Sequence, residues 1–183
     1  RAEELVRFQQ EIMAYFETKK TALEGKAKPK VLYLRDRDLK VAAGGTVNTM
    51  MIETAGGVNI AKELQGQWTP VTMEQVAAWD PDVVILSNFD PIQPADLFED
   101  KLEGQNWKNI KAVREGHVYK APNGLYRWDA PCVETPLMIK WIAQKLHPEV
   151  FDDYRLADDL RGFYEKFFSY TLTDADLKMI LHE

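Results

Sequence analysis

Between Pro29 and Pro148 the chain alternates short apolar runs with segments of helical period. Three runs predict strands: Val31-Leu32-Tyr33-Leu34, Val83 to Ser87, and His117 to Ala121. The first two are unbroken apolar stretches bounded by Pro, Asp or Asn, the pattern of strands buried on both faces of a parallel sheet. Strand–helix–strand alternation predicts a three-layer α/β domain built on a doubly wound, mostly parallel sheet. Ligands of such sheets collect at the carboxyl ends of the strands. The loops after Leu34, Ser87 and Ala121 are therefore the first places to look for function.

Around these strands the apolar spacing predicts helices. Leu5, Phe8, Ile12, Phe16 and Leu23 share one face of a long helix over 1–24, against Glu3, Glu4, Arg7 and Glu11 elsewhere. At 1.5 Å per residue it spans roughly 35 Å, enough for a strut as well as a covering helix. Val47, Met50, Met51, Thr54 and Ala55 mark a helix over 47–55, with Thr46 as N-cap and Gly56-Gly57 as stop. Thr72 and Gln75 form a capping box for a helix over 73–79. Short helices are expected over 95–102 and 107–113, and an amphipathic one over 134–146, with Pro136 in its first turn. Leu156, Leu160, Phe163 and Phe167, then Leu177, Ile180 and Leu181 behind Thr173, give two tail helices. The expected division is 1–25 for the long helix, 29–150 for the α/β body and 151–183 for its helical extension.

Composition narrows the function. A net charge of −6 lacks the basic surplus of a nucleic-acid binder. The single cysteine, Cys132, excludes an intrachain disulfide, and with three scattered histidines (His117, His147, His182) it forms no zinc pattern. The first residue is Arg1, without a signal segment, so the chain reads as a piece of a longer protein.

Candidate chemistry lies in the loops. Arg35, Arg37 and Lys40 follow the first strand, and Gly44-Gly45-Thr46 opens a helix; arginine and helix amides suit carboxylate or phosphate. Neither GxxxxGK[ST] nor GxGxxG is present, and a solvated polar loop is the plainer alternative. Tyr126-Arg127-Trp128-Asp129, between Pro122 and Pro131, suits recognition, with two large aromatics and a cation; aromatics pinning the loop are its alternative. Asp96, Glu99, Asp100 and Glu103 form an acidic face, solvated or a dock for a basic partner. No nucleophile–base order stands out, so the chain is not expected to be an enzyme.

Ala55-Gly56-Gly57-Val58-Asn59-Ile60-Ala61, Trp68 to Val76, Asp80 to Leu86, Trp107, Ala112 to Tyr119 and Trp141-Ile142-Ala143 stand in an order and spacing that resemble one family. The set is similar to the C-terminal lobe of substrate-binding proteins of iron–siderophore, haem and cobalamin ABC importers, over about 120 residues from Pro29. The resemblance implies that the helix over 1–24 joins two α/β lobes, and that an N-terminal lobe is missing here. It implies that Tyr126, Arg127 and Trp128 face the ligand, followed by Arg37, Gly44, Gly45 and Trp68. It implies that Asp96, Glu99 or Asp90 meets arginines of a membrane permease. The ligand would be an Fe(III)-siderophore, haem or another metal chelate, without a resident cofactor or metal. The location would be extracytoplasmic, periplasmic or as a cell-surface lipoprotein. A cofactor-binding or sensor domain outside transport is the alternative on the same fold.

Overall fold

The computed structural model describes residues 1–183. Its helices are α1 (Ala2–Leu23), α2 (Val47–Thr54), α3 (Met73–Trp79), α4 (Pro94–Phe98), α5 (Lys111–Arg114), α6 (Thr135–Leu146), α7 (Leu156–Phe168) and α8 (Asp174–Leu181). The strands are β1 (Lys30–Leu34), β2 (Lys40–Ala42), β3 (Val58–Asn59), β4 (Trp68–Pro70), β5 (Val83–Leu86) and β6 (Val118–Lys120), forming one sheet. Its order is β4-β2-β1-β5-β6, with β3 also paired to β1.

The three expected strands are its centre. β1 pairs parallel with β5, Val31 opposite Val83 and Leu34 opposite Leu86, and β5 pairs parallel with β6. Successive side chains point to opposite faces. Val31, Tyr33, Val83 and Ile85 enter one core with α1, α2, α6, α7 and α8. Leu32, Leu34, Val84 and Leu86 enter a second with Val76 of α3, Leu97 of α4 and Ala112 and Val113 of α5. Each fully buried side chain of this kind stabilises by about 1.5–3 kcal/mol relative to exposure. Helices on both faces of a mostly parallel sheet make the three-layer architecture that the sequence predicts.

The differences are at one edge. Residues 40–42 and 68–70, expected as loop, are strands β2 and β4; β2 pairs antiparallel with β1 and β4 with β2. Pro70 can sit there because an edge strand needs no donor on its outer side. Residues 58–59, also expected as irregular, form β3, parallel to β1. The helix expected over 95–102 stops at Phe98, and that over 107–113 shrinks to α5. Thr72 accepts from the Gln75 amide at 3.2 Å, while the full reciprocal capping box forms at Thr173 and Asp176.

α1 lays one side on the domain. Ile12 and Phe16 are buried, and Phe8 packs on Phe163 and Phe167 with centroids 5.2 and 5.8 Å away. Its other side leaves Val6 and Met13 exposed. No helix is long and apolar enough to cross a membrane.

Candidate functional site

The carboxyl ends of β1, β5 and β6 bring three loops together. Arg35 follows β1, residues 87–93 follow β5, and residues 121–131 follow β6. Their junction is a buried carboxylate. Asp129 Oδ2 accepts from the Ser87 hydroxyl and, at 3.3 Å, from the Asn88 amide. The Asn88 side chain donates to the carbonyls of Ala121 (2.8 Å) and Pro122 (3.1 Å), and Asn48 of α2 donates to the Asp129 carbonyl (3.3 Å). One Asp and two Asn side chains thus tie α2, β5 and the loop after β6 into a rigid base.

Above that base stands Phe89, half exposed. The guanidinium carbon of Arg35 lies 4.1 Å from its ring centroid, and that of Arg127 lies 3.8 Å away. Stacking spends the flat faces of both guanidiniums on the ring and keeps their N–H edges in plane for other partners. Arg35 Nε is buried without a hydrogen-bond partner, 3.9 Å from Asp36. Arg127 meets Asp129 across 3.8 Å, beyond hydrogen-bonding range. Asp129 Oδ1 and the Tyr33 hydroxyl are likewise buried and unpaired. Burial, with Asp129 nearby, pushes the Tyr33 phenol well above its usual range, so it stays a neutral donor. Cationic edges and idle donors at a strand-end crevice suit an anion.

The residues expected at the site divide. Tyr126 is exposed, with Arg127 5.3 Å over its ring. Trp68 packs on Tyr33 at 6.3 Å and lies under Arg35 at 5.5 Å, so it borders the same crevice. Trp128, expected to face a ligand, is instead fully buried in the core. Arg37 is spent: its Nε and a terminal nitrogen each donate to Asp90 at 3.0 Å. Gly44 and Gly45 are packed where a Cβ would collide with the carbonyls of Lys62 and Gly66, so close backbone approach accounts for both glycines. Of the acidic candidates, Asp90 holds Arg37, Asp96 accepts from the Gln93 amide at 2.8 Å, and Glu99 is exposed beside Lys101.

The Arg37 guanidinium holds the Asp90 carboxyl below the usual carboxylate range. A depressed folded value stabilises at pH above the unfolded value, about 3.9, and the gain disappears as pH falls through the folded one. Arg37→Met should therefore lower the urea midpoint at pH 7, with the two proteins converging as pH falls below the unfolded carboxylate value. A gap that does not change with pH would show that the pair is not responsible.

The sequence profile of a family described as periplasmic binding protein matches residues 1–125. The chain belongs to the periplasmic binding protein family. Molybdate-binding protein MolA of Haemophilus influenzae is 28% identical over 137 residues, 74% of this chain and 38% of that protein. A periplasmic solute binding protein from Veillonella parvula superposes with a TM-score of 0.95 at 54% identity, over 99% of this chain and 55% of its own. For an ABC transporter solute binding protein from Sulfurospirillum deleyianum the TM-score is 0.84 at 26% identity, over 100% and 56%. The chain thus spans about half the length of these solved relatives, and less of the curated one. Within this periplasmic binding protein fold, Arg35 had been visible beside Arg37, but Phe89, Asn88 and Asn48 carried no motif. The one signal for Phe89 is a lone aromatic three positions past a fully buried strand.

Proposed function

We propose that this chain is the C-terminal half of the solute-binding component of an ABC importer, working outside the cytoplasm. Its strand-end crevice supplies one wall of a site for an anionic solute, either an iron chelate or an oxyanion. The pairing of Arg35 and Arg127 on Phe89 carries this reading, because neither guanidinium donates a hydrogen bond within the chain, their nearest carboxylates lying 3.9 and 3.8 Å away. No three His, Cys, Asp or Glu side chains converge to hold a metal ion. The name of the MolA relative supports an oxyanion. In this reading α1 continues into a second lobe that closes over the crevice, and residues 29–183 form one body.

Titrating the two-lobed protein with molybdate, a ferric catecholate siderophore and haem, followed by tryptophan fluorescence, tests the proposal. Saturable binding of one anion, weakened by Arg127→Ala, is expected; no saturation by any anion would refute it. Asp96 and Glu99 are the carboxylates proposed to meet a basic permease surface. Their reversal to Lys should reduce uptake by cells while solute affinity stays within about twofold. Unchanged uptake would move the docking surface elsewhere.

A further inference from the structure

Lys120 closes β6 with its side chain buried, a costly place for an ammonium unless every N–H is met. All three are met. Nζ donates to the carbonyls of Ser87 (2.7 Å), Asp90 (2.7 Å) and Ile92 (2.9 Å). The three acceptors belong to one loop, 87–92, which lacks regular structure between β5 and α4. Phe89 lies between the first two anchor points and outside both hydrophobic cores, so packing does not fix it. Asp90, the second anchor, is also the residue that holds Arg37.

We infer that Lys120 is a positioning residue for the solute-facing arginines. By gripping three carbonyls it sets the course of loop 87–92, and with it the ring on which Arg35 and Arg127 stack. Its effect on solute rests on the proposed site; its effect on geometry does not, and is measured without ligand.

In the two-lobed protein, the ring current of Phe89 should shift the Nε–Hε resonances of Arg35 and Arg127, and Phe89→Leu should abolish the shift. Lys120→Met, close in length but without donors, should carry both resonances at least about halfway to their Phe89→Leu positions, because charge-assisted bonds are among the stronger ones lost. The amides of β1 and β5 should stay in place. Affinity for molybdate or the ferric catecholate, whichever the native protein binds, should fall about tenfold. Arginine resonances that do not move in a folded Lys120→Met protein would reduce Lys120 to a core anchor and overturn the inference. If that variant fails to fold, the native protein decides. Couplings across the hydrogen bonds from Nζ to the carbonyl carbons of Ser87, Asp90 and Ile92 support the role, and a freely exchanging ammonium without them refutes it. Shifted resonances together with no binding of any probe would retire the solute site and leave the positioning role standing.

Discussion

Replacing Arg35 and Arg127 together by Met in the two-lobed protein should weaken binding of its anionic solute by about 10²–10⁴-fold. Each guanidinium is worth about 1.5–3 kcal/mol as a charge-assisted donor, and the crevice holds both without a bidentate protein partner. The single variants should not sum to the double one, because both cations lean on Phe89 and removing one lets the ring and the other shift. Arg37→Met is the control. Its two hydrogen bonds already go to Asp90, so solute affinity should change by less than about threefold. Isothermal titration of the three proteins with the bound anion measures this. Loss with Arg37→Met and none with the double variant would place the site at Arg37, which the resemblance ranks behind Tyr126, Arg127 and Trp128.

Why Arg35 rather than Arg37 is a matter of backbone direction. Side chains alternate along β1, so Arg35 continues the Tyr33 face as long as the strand geometry persists, and its amide still bonds to the Lys40 carbonyl at 2.7 Å. Beyond it the chain turns through Asp36 to Leu39, whose φ of 56° carries it back into β2. Within that turn strand alternation does not say where Arg37 points. The central strands were legible because residues 31–34 and 83–86 are short runs apolar at every position and flanked by Pro, Asp or Asn, the pattern of a doubly covered sheet. β2, β3 and β4 have two or three residues each, less than two periods of any pattern, and tertiary pairing alone specifies them. The same holds for the base of the site. The bonds joining Asn48, Ser87, Asn88 and Asp129 span 41 to 81 positions, and no local spacing encodes them. Burial of Trp128 was equally hidden, since an aromatic in a loop between prolines suits recognition and anchoring alike.

Trp128→Ala separates those two roles, and its main effect should be on stability, by about 3–5 kcal/mol. The indole belongs to the core cluster that also holds Tyr33, Leu137 and Met138, with no surface left to solvent. Removing it empties a volume that the rigid ring of Asn and Asp bonds around Asp129 cannot collapse to fill. Trp128→Phe should cost much less than half of this. It keeps most of the packing and deletes an indole N–H that is buried without a partner, a group that costs about 1–3 kcal/mol where it stands. Urea unfolding of both variants in the two-lobed protein, beside solute titrations below the transition, distinguishes the cases. An anchoring Trp128 gives a large midpoint loss for Ala, a small one for Phe, and little change in affinity for Phe. A ligand-contacting Trp128 would give the reverse: affinity lost in both and the midpoint unmoved. The outcome bears on Arg127 as well, because that residue is bridged through its backbone to Asn123, adjoins Trp128 in the chain and carries its guanidinium 3.8 Å from the Phe89 ring.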